Sequence, residues 1–312
     1  MNSISWRYLH MYYASSSTQR FLKKIYNQRG VEKYESKSYD NSYPFIYYLE
    51  QGEMYYDQFS KAPLALKPLL LYYGYVQLLK AILLTVDPIY PQSSSVLAHG
   101  VSTRKRKKQH YSFLEDEVKI QKHGLYPHLA KEIFNITLTE GEKYTMESLL
   151  SHVPELTLLF QFHLKKEPLL RVEQTESNYL VSERILDHLH MTHDRFKSYL
   201  ENRNPFINWE QDNTLLFTHL HPVTKESLPL RYHLENQALY IPTSRSDVEA
   251  IPELLIHLLI LYNLSMISRY ETEWWSELIK TTPTEDYSFI QAFLEVSYHK
   301  TPHFIEQVLK SL

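Results

Sequence analysis

Cysteine is missing altogether from these 312 residues. Its absence excludes disulfides, thiolate nucleophiles and Cys-ligated zinc or iron–sulfur centres. Glycine is nearly as scarce: Gly30, Gly52, Gly74, Gly100, Gly124 and Gly141 are all there are, and no two are neighbours. Loops that cradle phosphate bring backbone N–H groups close to it, which takes clustered glycines, so a P-loop and a dinucleotide fingerprint are excluded. G-x-S-x-G and H-E-x-x-H do not occur either. Charge of one sign is lacking too, with a formal net charge of −3 at pH 7. A chain so balanced does not coat nucleic acid or an anionic membrane with its whole surface, although a local basic patch remains open to it.

Long apolar runs are interrupted. Residues 68–84 carry Gln77 and Lys80, and residues 254–267 carry His257, Asn263 and Ser265. Both fall short of the ~20 apolar residues that cross a bilayer and read as buried core helices. Residues 1–20 hold no apolar stretch that would make a signal sequence. The expected location is the cytoplasm, without a membrane partner.

Tyrosine stands out among what is present, at 26 residues, beside 16 histidines. A tyrosine has an apolar ring and a polar tip and suits half-buried surfaces and interfaces. Compositional bias is the plainer reading, and both stay open. Hydrophobic residues at 43% and charged residues at 22% are those of a folded globular chain.

Apolar periodicity predicts helices over 17–29, 43–60 and 69–84, with a short helical candidate at 93–99. In the third of these, Gln77 and Lys80 are three residues apart and share one stripe of an otherwise apolar cylinder, which reads as the centre of a helical bundle. Gly74 in its middle implies close approach by a neighbour. Residues 111–122 are ambiguous between extended and helical, and 126–133, 146–153 and 156–164 continue the helical pattern. From about residue 167 the texture turns to short strands at 169–172, 179–181, 215–219 and 230–234, with a hairpin at Glu235, Asn236 and Gln237 and a helix over 184–202 between them. Ser246 and Glu249 have capping-box spacing and open a helical region with apolar residues over 251–267, then segments at 271–279, 286–298 and 301–312, the last begun by Pro302. The expected fold is α+β and predominantly α. It comprises an N-terminal helical region over 1–165, a β-rich region over 166–245, and a C-terminal helical region over 246–312 packing back on the bundle.

Five consecutive cations, Arg104, Lys105, Arg106, Lys107 and Lys108, are the most distinctive local feature. Such a run repels itself and stays solvated unless an anion compensates it. One reading is an exposed loop. The other is a site for a phosphate, a nucleotide or an acidic partner face, with His99 before the run, His110 and Tyr111 after it, and His123 near in sequence. Trp274 and Trp275 are adjacent, so on a helix their rings point about 100° apart. One suits the core and the other is a candidate interface residue. His188, His190 and His193, with Asp187 and Asp194, and separately His219 and His221, could gather around a metal, but no third-ligand motif joins either group and no metal site or cofactor is expected. The pairs Arg104…His110 and Arg184…His190 fit the R-x4–6-H spacing of helical-bundle ribonucleases, yet in a chain this rich in histidine the spacing arises by chance.

LALKPLLLYYGYVQLLKAILL (64–84), SSSVLAHGVSTRKRKKQHY (93–111), EVKIQKHGLYPHLAKEIF (117–134) and LLIHLLILYNLSMISRYETEWWSELI (254–279) resemble the YaaC-like family of Gram-positive bacteria. The resemblance implies a helical part similar to HEPN-type bundles, some of which cleave RNA while others only bind or dimerise. It also implies a link to guanine-nucleotide metabolism, since family members tend to be encoded beside IMP dehydrogenase. No catalytic residue is carried over with it. The expectation is a non-catalytic binding or regulatory protein, with IMP dehydrogenase as its protein partner, a nucleotide or phosphate as ligand, and a homodimer compatible with both. The alternative is a metal-independent ribonuclease using Arg104 and His110.

Overall fold

The computed structural model describes residues 4–103, 111–175, 178–210, 214–219, 228–282 and 284–312. Among the described residues it is 60% helical, with 12 helices and small antiparallel sheets, the α+β and predominantly α architecture expected. The chain divides into two compact units, Met1–Thr145 with His257–Leu312, and Met146–Ile256. The sequence expectation drew its boundaries at 165/166 and 245/246.

The first unit opens with α1 (Ile4–Leu9), α2 (Ser15–Gln28), α3 (Tyr34–Lys61) and α4 (Lys67–Val86). The third of these starts nine residues earlier than apolar spacing predicts and runs through Pro44. Its first turns bury serines instead of aliphatic residues: Ser38 and Ser42 are enclosed, and their hydroxyls donate back to the carbonyls of Glu35 and Tyr39. A small hydroxyl that bonds its own preceding turn lets a helix bury a polar-looking face. α4 is long and apolar enough to cross a membrane, yet 67% of that stretch is buried inside the protein. It packs against α3, and Gly52 meets Gly74 where they touch: a Cβ on Gly74 would lie 2.9 Å from Tyr55 Cβ and from the Tyr56 ring.

A three-stranded antiparallel sheet follows, from β1 (Val101–Thr103), β2 (Glu117–Ile120) and β3 (Lys143–Thr145), with α5 (Leu125–Phe134) inserted before the last strand. Three- and four-residue strands leave too little alternation to be read from sequence. The N-terminal region expected to be helical thus also holds strands, and the segment left ambiguous at 111–122 is extended over Glu117–Ile120. Val101 pairs with Ile120, and two glycines let the flanking loops touch: a Cβ on Gly124 would fall 2.3 Å from the Gly100 backbone.

In the second unit α6 (Met146–Leu150) and α7 (Thr157–Leu159) precede β4 (Leu169–Arg171), β5 (Glu173–Gln174) and β6 (Tyr179–Leu180). Then come α8 (Arg184–Leu189), α9 (His193–Glu201), β7 (Ile207–Trp209), β8 (Leu216–His219), β9 (Arg231–His233) and β10 (Ala238–Pro242). They build a sheet in the order β4-β10-β9 and another in the order β5-β6-β8-β7. The helix predicted over 184–202 is split, because His190 adopts a left-handed conformation (φ 53°) that ends α8. The expected hairpin joins β9 to β10, with Gln237 left-handed in its turn. Phe196, Leu200, Ile207 and Phe217 are at the centre of this unit's core.

The capping box of Ser246 and Glu249 is present, but it caps a single turn over Asp247–Ala250. Pro252 then forces Ile251 into an extended conformation (ψ 122°), so α10 (Glu253–Tyr270) starts afresh. α11 (Thr272–Thr281) and α12 (Asp286–Lys310) complete the chain. α12 corrects another expectation, since it continues unbroken through Pro302. Ser297, Thr301, Pro302 and Ile305 are all buried, and the Thr301 hydroxyl donates to the Ser297 carbonyl, so packing holds the helix across the lost N–H.

Candidate functional site

The residues singled out from sequence fare differently. Arg104, Lys105, Arg106, Lys107, Lys108 and His110 lie outside the described residues, and with them the ribonuclease pair Arg104…His110. In the other R-x4–6-H pair, the Arg184 guanidinium is engaged by Glu167 at 2.6 Å. Among the described residues no group of three or more His, Asp or Glu is arranged to hold a metal ion. Trp275 is buried and donates its indole N–H to the Ala65 carbonyl (3.1 Å). Trp274 is half-buried, packed edge-to-face on Tyr111 at 4.5 Å. His123 borders a surface groove over α5, and His99 lies in the cluster described next.

His99 sits in the loop before β1, and its ring enters a wedge between α4 and α10. The Tyr72 hydroxyl is 2.7 Å from its Nδ1. The rings of Tyr72 and Tyr262 lie 5.7 and 5.2 Å from the imidazole, and 5.9 Å from each other. The main chain pins this loop, because the Tyr126 N–H donates to the His99 carbonyl and the Leu125 N–H to that of Ala98. Gly100 is left-handed there (φ 78°), and Pro127 packs where its Cβ would be.

Two cations flank the wedge. Arg269, in the last turn of α10, donates Nε–H to the Ser265 carbonyl (3.0 Å) and Nη1–H to the Tyr73 hydroxyl (3.2 Å), and lies over the rings of Tyr73 and Tyr270. Lys80, on α4, sits 5.6 Å from the Tyr48 ring centroid. Among the described residues neither cation has a carboxylate within ion-pairing distance. Burial pulls the Lys80 ammonium below its ordinary pKa. Partial burial, with the positive charges of Arg269 and Lys80, pulls the His99 imidazole down as well. Burial, with Tyr262 and Tyr73 nearby, pushes the Tyr72 phenol far above its usual range, so it remains protonated. Gln77 lies between Tyr73 and Lys80 on the same helical stripe, and its buried Oε1 has no hydrogen-bond partner among the described residues.

His99 thus feels the positive charge of both Arg269 and Lys80, and among the described residues no carboxylate lies within ion-pairing distance of either cation. An anion placed there would offset those charges. Arg269 supplies a planar fork, Lys80 a point charge, His99 a titratable donor, and Tyr73 a hydroxyl hydrogen, because its oxygen already accepts from Arg269. Tyr72 and Tyr262 are buried, so Tyr73, half-buried, and Tyr270, exposed, are the rings of this cluster that an aromatic group could meet.

A sequence profile of YaaC-like proteins matches residues 10–309. The chain belongs to the YaaC-like protein family. No curated protein and no solved structure matches it. Of the site, sequence reasoning reached His99 and missed Arg269, Tyr72, Tyr73 and Tyr262. The Gln77–Lys80 stripe on an otherwise apolar YaaC-like core helix was a signal that could have found it. Arg269 gave none, since a cation in a helix's last turn is ordinary.

Proposed function

We propose that this YaaC-like chain is a non-catalytic binding protein whose ligand is a nucleotide, its phosphate held by Arg269, Lys80 and His99 and its base stacked on Tyr73 or Tyr270, the rings of the cluster that reach the surface. The observation that carries the reading is the pairing of two half-buried cations, Lys80 and Arg269, with no carboxylate partner among the described residues beside a histidine whose pKa they depress. Unpaired buried charge is expensive to maintain and is a mark of a functional site. The link to guanine nucleotides and the partnership with IMP dehydrogenase belong to the same reading: a regulator of that enzyme would sense the nucleotide here. On it, the helical first unit serves as a HEPN-like module used for binding.

Isothermal titration of the purified chain with GMP, AMP and inorganic phosphate tests it. Saturable binding of a mononucleotide, tighter than that of phosphate and lost in a Lys80→Met, Arg269→Met double variant, is the expected result. A nucleotide affinity that the double variant leaves unchanged would overturn the assignment.

A further inference from the structure

A second basic feature of the first unit is lined by none of the side chains of the His99 wedge. Over the start of α5 there is a groove of about 250 Å³. Lys122, His123 and Lys131 form its rim, and Val96, Pro127, Ile136 and Leu138 supply apolar surface. The Gly100–Gly124 crossing shapes it, for Gly124 (φ 133°) has no room for a side chain against the Gly100 backbone.

Its charges are available. Lys122 and His123 have no hydrogen-bond or ion-pair partner among the described residues, and Lys131 meets only Glu132, at 3.7 Å on an exposed surface, a contact of little strength. His128 is fixed as a wall: Asp87 holds its Nε2 at 2.9 Å and Tyr90 stacks on its ring at 6.0 Å. The first main-chain donors of α5 are already used, the N–H of Leu125 by Ala98 and that of Tyr126 by His99. An anion in the groove must be held by side chains.

The volume falls just below the range of pockets that take drug-sized ligands, so the occupant is compact and smaller than a nucleotide. Two lysines and a histidine on one rim favour a dianion over a monocarboxylate, since each added cation gains most from the doubly charged oxygen cluster. The apolar floor favours a ring or short hydrocarbon over a bare ion. We propose that this groove is a binding site for a compact phosphate monoester with an apolar body, its phosphate on Lys122, His123 and Lys131 and its body on Val96, Pro127, Ile136 and Leu138.

The probes are phenyl phosphate, inorganic phosphate and benzoate, followed by amide chemical-shift titration of the full chain. Phenyl phosphate is expected to give saturable shifts at Gly124, Ile136 and Leu138 below about 10 mM, with inorganic phosphate and benzoate each at least roughly fivefold weaker. Lys122→Glu with Lys131→Glu is expected to weaken phenyl phosphate by roughly tenfold or more at unchanged melting temperature, because both residues are exposed. Lys80→Met should leave these shifts intact, which separates this groove from the nucleotide site. Benzoate binding as tightly as phenyl phosphate would overturn the phosphate assignment. An absence of saturable shifts, or unchanged affinity in the double-Glu variant, would overturn the site.

Discussion

The Tyr72 hydroxyl meets His99 Nδ1 at 2.7 Å, joining the central helix of the first unit to the loop that carries the sequence's first His-Gly pair. Because burial keeps the phenol protonated, it can donate to Nδ1 of the neutral ring, which puts the imidazole's single hydrogen on Nε2. The contact orients the ring in the wedge of Tyr72 and Tyr262. Tyr72→Phe removes one hydrogen bond and keeps the ring packing. It should lower stability by about 1 kcal/mol and weaken nucleotide binding by roughly fivefold. Titration calorimetry checks the second figure, and undiminished affinity would show that Tyr72 does not position His99.

Lys80 is held where burial opposes its charge, near His99. Replacing it with Met keeps the stem and removes the desolvated charge. The variant should be as stable as the parent or more so, by up to about 1 kcal/mol, while its nucleotide affinity falls at least roughly tenfold. Stability and binding moving in opposite directions is the signature of a residue retained for function. A Lys80→Met protein that loses stability along with binding would point to a structural role.

Much of this architecture is legible in the sequence. The hairpin around Gln237, the strand beginning at Leu169 and the two apolar helices all carry local patterns strong enough to be read without tertiary context. The errors share a cause. The polar start of α3 is helical because Ser38 and Ser42 fold their hydroxyls back on their own turn, and α12 crosses Pro302 because its flanking residues are buried. Strands β1 to β3 exist through pairing between segments far apart in the chain, which no short window contains. The site shows the same division. His99 advertises itself beside a glycine and a basic run, whereas Arg269 acquires meaning only when α10 brings it to Tyr73.

Gly52 and Gly74 offer a matched comparison. Each sits inside a helix, so alanine would gain about 1 kcal/mol of propensity at either position. At Gly52 the new methyl would meet Leu78, 2.6 Å from its Cδ2 and 3.0 Å from its Cγ, a side chain fully buried but flexible enough to change rotamer in part. At Gly74 it would meet Tyr55 Cβ and the Tyr56 ring, also fully buried, which cannot turn away. Gly74→Ala should therefore cost about 2 kcal/mol net, and Gly52→Ala should lie within about 1 kcal/mol of neutral. Denaturant unfolding of the two variants decides it, and equal costs would mean that α3 and α4 can shift apart.

His152, in the second unit, is buried; its Nδ1–H donates to the Ser148 carbonyl at 2.9 Å and its Nε2 accepts from the Ser246 hydroxyl at 3.3 Å. Burial first, and the nearby Arg231 charge second, push its pKa down to about 3. The unfolded chain binds this proton near pH 6.5, so the contribution is intact above that value and is lost as pH falls towards the folded-state pKa, at up to about 1.4 kcal/mol per pH unit. His152→Gln, which preserves a hydrogen-bonding side chain, should flatten the acid limb of the stability–pH curve by about one proton. Denaturant titrations from neutral pH downwards measure that slope, and an unaltered slope would sink the prediction.

His99 should couple ligand binding to protonation. In the free protein its pKa lies below the ordinary value because burial and the charges of Arg269 and Lys80 disfavour the imidazolium. A bound phosphate offsets those charges and favours the imidazolium, so the bound-state pKa is higher. Between the two values binding takes up a proton; affinity therefore rises as pH falls through the bound-state pKa and levels off below the free-state one. Calorimetry near pH 6.5 in buffers of different ionisation enthalpy should register uptake of up to about one proton per nucleotide. His99→Gln should still bind, more weakly and without proton uptake. Were that variant to take up the same proton as the parent, the titrating group would be elsewhere and His99 would not face the phosphate.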